Sequence, residues 1–152
     1  DINGGYYYKP YTVESILDKD GNVVESVKPT LVRQIISEET SATVRHALEY
    51  AVTNGTVYGV QVADKENGVK MDGYDFGGKT GTAEKHPRGK GNYLVSFIGY
   101  APQENPQVMI YVVIDEPNTS VQSNSGFATA MAADIMEEIL PYLGVEKIQE
   151  EE

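Results

Sequence analysis

The sequence predicts an α+β domain, an antiparallel sheet with flanking helices, from the order and spacing of its apolar runs. Three β-prone runs follow one another directly: FGGKTGTA from residue 76, YLVSFIGYA from residue 93 and QVMIYVVI from residue 107. The connections between them, EKHPRGKGN and PQENP, are short and rich in Gly, Pro and Asn, as between antiparallel neighbours. One helical period precedes these runs and one follows them, so strands and helices do not alternate as they would around a parallel sheet.

The elements can be justified in order. PYTVESI and NVVESV flank LDKDG, two β-prone runs around an Asp-Gly turn, which predicts a hairpin near the start with a structural role. Ser37 then precedes Glu38 and Glu39, and Val44, Ala47, Leu48, Ala51 and Val52 recur at helical spacing until Asn54-Gly55 ends the pattern. In the last helix, SGFATAMAADIMEEIL, Ser125 is the expected N-cap and Phe127, Met131, Ile135 and Ile139 the expected apolar stripe, laid over the sheet. Tyr6, Tyr7 and Tyr8 form an aromatic run expected to pack beside the sheet. Residues 1–145 are read as one domain portion with one core, and the acidic residues 146–152 as a disordered tail.

Composition narrows the function. Twelve Lys and Arg against twenty-three Asp and Glu give a formal charge of -11, which repels a phosphate backbone and argues against a nucleic-acid partner. With no cysteine, disulfides and thiolate metal sites are excluded. No apolar run approaches the ~20 residues needed to cross a bilayer. His46 and His86 lack a repeated ligand spacing, so neither a metal nor another cofactor is expected. Asp115 and Glu116 are adjacent, which on a strand points them to opposite faces and makes a catalytic acid pair a poor reading.

The chemistry turns on GYDFGGKTGTAEK, residues 73–85. Residues 73–80 fit the phosphate-loop pattern G-x-x-x-x-G-K-[ST], while Lys79-Thr80-Gly81 is the K-T-G triplet of penicillin-recognising serine enzymes. A phosphate loop must leave a buried apolar strand and enter a helix. Here ADKENGVKMD precedes Gly73, and Gly81, Pro87 and Gly89 follow, so the context rejects it. The K-T-G reading instead asks for an exposed edge strand. There Lys79 and Gly81 share one face, Thr80 and Thr82 the other, and Gly77 and Gly78 permit a twist or a bulge.

NGGYYYKPY at residues 3–11, GGKTGTAEK at 77–85, SFIGYAP at 96–102 and VVIDEP at 112–117 together resemble the transpeptidase domain of class B penicillin-binding proteins. The resemblance covers nearly the whole chain, in matching order. It implies a penicillin-binding, transpeptidase-like fold, here incomplete. It also implies serine acyl transfer on peptidoglycan stem peptides ending in D-Ala-D-Ala, with β-lactams as mimics of that substrate. By the same resemblance Lys79 supplies positive charge and orients proton transfer, and Thr80 and Thr82 offer hydroxyls to the substrate carboxylate. The Thr82 backbone N–H serves the oxyanion hole, and Gly81 keeps the edge open. The setting it implies is the extracytoplasmic face of a bacterial membrane, reached through an N-terminal anchor absent from this sequence, in cell-wall synthesis for cell shape or cell division.

The family pattern also needs S-x-x-K and S-x-N. The third residue after Ser15, Ser26, Ser37, Ser41, Ser96, Ser120, Ser123 and Ser125 is Asp, Pro, Thr, Val, Gly, Ser, Gly and Ala respectively, so no S-x-x-K occurs. In the family both motifs precede the NGGYYYKPY block, which suggests the C-terminal part of a larger protein whose N-terminal part is its partner. Two readings follow: the K-T-G wall of a D,D-transpeptidase cleft, inactive alone, or a non-catalytic binding or assembly module.

Overall fold

The computed structural model describes residues 2–53 and 73–147, and the chain divides into two compact units, Asp1–Thr43 and Val44–Glu152. The expected helix stop at Asn54-Gly55 and most of the acidic tail lie outside the described residues. Among the described residues no helix is long and apolar enough to cross a membrane.

The first unit holds two small antiparallel pairs. The predicted hairpin forms from β2 (Ser15–Leu17) and β3 (Val23–Ser26). Its turn is built by Asp18, whose Oδ1 accepts the N–H groups of Asp20 and Asn22, each at 2.9 Å, as an Asx-type turn does. The tyrosine run is β1 (Tyr6–Tyr8), and it pairs with β4 (Leu31–Gln34), a strand the sequence analysis missed. They form a separate ribbon, with Tyr7 and Tyr8 exposed and the Tyr6 hydroxyl bonded to Glu38 at 3.0 Å.

Helix α1 (Glu38–Thr53) begins as its sequence predicts. Ser37 Oγ accepts the Thr40 N–H at 3.1 Å, satisfying one of the free donors of the first turn, and Glu38 and Glu39 stand at the positive end of the helix dipole. The unit boundary falls within this helix.

In the second unit β5 (Gly77–Glu84), β6 (Tyr93–Ala101) and β7 (Val108–Asp115) form the predicted antiparallel sheet in the order β5-β6-β7. Paired residues share a face, so the register Thr80↔Phe97 and Phe97↔Val112 defines one side and Lys79↔Ile98 and Ile98↔Tyr111 the other. Helix α2 (Gly126–Tyr142) lies over the Phe97 side and buries it. Phe97 meets Phe76 edge-to-face, with ring centres 6.3 Å apart, and packs with Ala101, Val112, Ala128, Ala132, Met136 and Leu140.

One expectation about α2 fails and another holds in position only. The buried stripe is Ala128, Thr129, Ala132, Ala133, Met136 and Leu140, whereas Met131 and Ile135 are exposed. The sheet supplies the bulk through Phe97 and Phe76, so the helix meets it with small side chains that permit close approach. Ser125 is the N-cap residue as expected, but its backbone is already helical at φ -73 and ψ -5 and its side chain makes no capping bond. Asn124 takes the role, its Oδ1 accepting the Gly126 N–H at 2.9 Å.

On the other side Tyr100 is buried, and its hydroxyl donates to the Arg45 carbonyl at 2.9 Å. Burial pushes the phenol up to about 12, with Glu49 adding to the rise and Arg45 opposing it. A raised pKa means that the neutral phenol stabilises the fold fully below the ordinary value of about 10, and that this contribution fades as pH climbs through the folded value. Tyr100→Phe is therefore expected to lower the unfolding free energy at neutral pH by about 0.5 to 1.5 kcal/mol, the worth of its hydrogen bond. It should also remove Tyr100's share of the stability lost between pH 10 and 12, as read by denaturant titration at a series of pH values.

Candidate active site

Strand β5 carries the K-T-G triplet at the margin of the sheet. Among the described residues it has β6 on one side and no strand on the other. An edge strand turns alternate backbone N–H and C=O groups outward, where an extended ligand can meet them. The phosphate-loop alternative loses its structural requirement, because Lys79 and Thr80 lie inside a strand that runs on to Glu84, with no helix after them.

The pairing of β5 with β6 runs from Gly77↔Tyr100 to Glu84↔Tyr93 without a register shift, so the expected freedom for a bulge is not used. Gly77 and Gly78 serve another purpose. A β-carbon at either would collide with the Tyr100 or the Phe97 side chain, and these glycines let both aromatics lie flat across the strand.

Lys79 is exposed and stands on the face away from α2, and its amine donates to the Thr80 carbonyl at 3.1 Å and to Thr80 Oγ1 at 3.4 Å. Thr80 and Thr82 point to the α2 side, Thr80 half-buried and Thr82 exposed, as alternation requires. The Thr82 hydroxyl makes a long hydrogen bond, 3.5 Å, to the Ser123 carbonyl in the loop before α2. Gly81 lies between them, and a β-carbon there would approach Ser96 Oγ to 2.6 Å. One short strand thus presents an ammonium group, two hydroxyls and free backbone donors, a set suited to holding a carboxylate and polarising a carbonyl.

An ion cluster that the sequence does not signal stands at the end of β5. Lys85 Nζ lies 2.8 Å from Asp115 Oδ1 and 2.8 Å from Glu116 Oε1. Asp115 and Glu116 do not diverge as adjacent strand residues would. Glu116 leaves the strand with φ 49, and that turn brings both carboxylates to one amine. Their hydrogen bonds and charge push the Lys85 amine above its ordinary range, with Asp115 the larger cause. Only the long-range partner could have signalled this pair, and one sequence does not contain that information. His46 and His86 sit on different elements, His46 within α1 beside Gln103 at 3.2 Å and His86 in the β5–β6 connection. A concavity lined by Tyr74, Asp134, Glu137, Glu138, Pro141 and Lys147 borders α2 and includes none of the β5 residues above.

Comparison with known proteins gives a consistent result. The family model described as penicillin binding protein transpeptidase domain matches residues 2–137. Stage V sporulation protein D of Bacillus subtilis is 39% identical over 148 residues, which cover 95% of this chain and 22% of that protein. The peptidoglycan D,D-transpeptidase FtsI homolog of Mesostigma viride is 31% identical, covering 91% of this chain and 24% of that protein. Among solved structures, the D,D-transpeptidase domain of a peptidoglycan glycosyltransferase from Eggerthella lenta superposes with a TM-score of 0.67 at 31% identity, over 95% of this chain and 30% of that one. The chain therefore spans less than a quarter of the length of these two curated relatives.

The contact between Gly81 and Ser96 generates a paired test. Gly81→Ala should destabilise the protein by about 1 to 3 kcal/mol, as overpacking does. Adding Ser96→Ala removes the colliding hydroxyl and should recover most of that loss, a coupling that a double-mutant cycle of denaturation midpoints measures.

Proposed function

The chain belongs to the family of penicillin-binding-protein transpeptidase domains, and on that footing we propose that it forms the lysine-bearing wall of the cleft of a peptidoglycan D,D-transpeptidase. The observation that carries this reading is the edge of β5 that no strand covers among the described residues, where the functional groups of Lys79 and Thr82 are exposed beside half-buried Thr80. The names of the Mesostigma viride relative and of the Eggerthella lenta structure, both of which specify D,D-transpeptidase, support the reaction class.

In the proposed reaction a serine oxygen attacks the carbonyl of the D-Ala-D-Ala amide of a stem peptide. The C–N bond breaks, D-alanine leaves with a proton, and the acyl group remains as an ester on the serine. An amine of a neighbouring strand then attacks that ester, forms the cross-link and returns the serine. Lys79 places positive charge in the cleft and orients the proton transfers. Thr80 and Thr82 hold the substrate's terminal carboxylate, each charge-assisted bond contributing about 1.5 to 3 kcal/mol. The Thr82 N–H faces the developing oxyanion, a role worth about 3 to 4 kcal/mol in other acyl-transfer enzymes. Gly81 leaves room for the ligand backbone.

No serine in this chain has a lysine three residues on, so the nucleophile and its base come from a part of the protein outside this sequence, and the chain alone is not acylated. Residues 1–145 form the C-terminal portion of the transpeptidase domain and residues 146–152 an acidic tail. The partners are the stem peptide, β-lactams that imitate it, and the N-terminal part of the same protein. The site of action is the extracytoplasmic face of the membrane, reached through an anchor outside this chain.

Intact-mass spectrometry after incubation with a penicillin tests this reading. The protein containing both this chain and its N-terminal part should gain one acyl mass, and this chain alone none. Lys79→Ala in the longer protein should slow acylation at least ~100-fold, the scale of losing one stabiliser of transition-state charge. Unchanged acylation of the Lys79→Ala protein would overturn the cleft-wall reading in favour of a non-catalytic module.

A further inference from the structure

The loop between β7 and α2, residues 116–125, is fastened to the sheet at both ends. At its start Glu116 takes φ 49, a backbone region that a β-carbon disfavours, and two bonds hold it there. Its N–H donates to the Tyr93 carbonyl at 2.9 Å, and its carboxylate meets Lys85 Nζ at 2.8 Å. The same amine donates to both oxygens of Asp115, at 2.8 and 3.1 Å. Within the loop the Thr119 N–H bonds to the Pro117 carbonyl and Thr119 Oγ1 accepts the Val121 N–H, so the span is braced by its own backbone and by the Thr119 side chain. Near its end, Gln122 Oε1 accepts the Tyr93 N–H at 3.0 Å and the Ser123 carbonyl accepts the Thr82 hydroxyl at 3.5 Å. Tyr93 is thus gripped through both of its backbone groups by the two ends of one loop.

Lys85 follows β5 directly, three residues after Thr82. One strand therefore carries both the amine that anchors the start of the loop and the hydroxyl that its far end touches. We propose that Lys85 is a positioning residue for the acyl transfer: through Asp115, Glu116 and the braced loop it fixes the Ser123 carbonyl, and so the orientation of the Thr82 hydroxyl that receives the substrate carboxylate. The inference rests on the cleft-wall reading of β5. A threonine hydroxyl has one hydrogen. At 3.5 Å from Ser123 that hydrogen is weakly held, and it turns readily to a carboxylate, a stronger acceptor, while the oxygen stays in place. If the anchor is lost, the Ser123 carbonyl moves, and the hydroxyl is no longer set for the incoming ligand.

The test uses the protein that contains this chain together with its N-terminal part, and a penicillin bearing its free carboxylate. Lys85→Met removes the charge and keeps the length of the side chain. It should weaken the dissociation constant of the non-covalent penicillin complex about 3- to 30-fold while changing the limiting acylation rate by less than about 3-fold, a split between binding and chemistry. Lys85→Arg, whose guanidinium can bridge two carboxylates, should restore most of the affinity. In a Thr82→Val background Lys85→Met should add nothing, because the hydroxyl through which it acts is gone. Unchanged affinity in Lys85→Met would overturn the inference. So would losses that simply add in the double variant together with a lowered melting temperature, the mark of a purely structural lysine. Failure of the unsubstituted protein to be acylated would overturn the cleft-wall reading itself and this inference with it.

Discussion

The close packing of Phe97 beneath α2 is the contact on which the rest of the second unit depends. Phe97 sits on the central strand, so its position is transmitted through ladder bonds to β5 on one side and β7 on the other. The small residues Ala128, Ala132 and Ala133 let the helix descend onto the ring, and Gly78 lets the ring extend under β5. A larger residue at any of these places would push the helix or the edge strand away. The geometry of the lysine and threonines on β5 is thus set from behind by apolar packing, which is rigid, rather than by polar contacts, which are few and exposed.

Charge organises the site against an unfavourable background. In a chain with a formal charge of -11, Lys79 and Lys85 meet opposite circumstances six residues apart. Lys85 is neutralised by Asp115 and Glu116, whereas Lys79, among the described residues, makes its hydrogen bonds only to the neighbouring Thr80 and stands exposed. The first cation is bound up in structure and the second is available to an anionic ligand. A surface ion pair contributes little to stability, so the value of the Lys85 cluster lies in where it holds the chain rather than in how tightly.

Much of this was legible in the sequence where the signal is local. The Asp18 turn, the Ser37 cap, the three strands and the alternation of Lys79 against Thr80 and Thr82 all follow from residues a few positions apart. Pairings between distant segments were not legible. Leu31–Gln34 is too short and too polar to announce a strand, and it becomes one by pairing with Tyr6–Tyr8. The buried stripe of α2 departs from the pattern of hydrophobicity, because hydrophobicity alone does not decide burial. Phe127, Met131 and Ile135 are the more apolar set, but steric fit against Phe97 selected the alanines. The fate of Asp115 and Glu116 depended on one residue turning to positive φ, which no periodicity reveals.

The open margin of β5 has a consequence beyond recognition. A strand with unsatisfied backbone groups will accept any extended partner, including the same strand of another copy, and a sheet that must stay open to a peptide must also resist stacking into fibrils. Lysine is a common guard at such margins because its charge cannot be buried between two like strands. Lys79 is the third of the eight residues of β5, with Gly77 and Gly78 before it and Gly81 two residues on, a run that would otherwise leave a flat and sticky ribbon. The same ammonium group that suits the strand to a carboxylate-bearing ligand therefore keeps it from pairing with itself, so that removing it would alter solubility as well as chemistry.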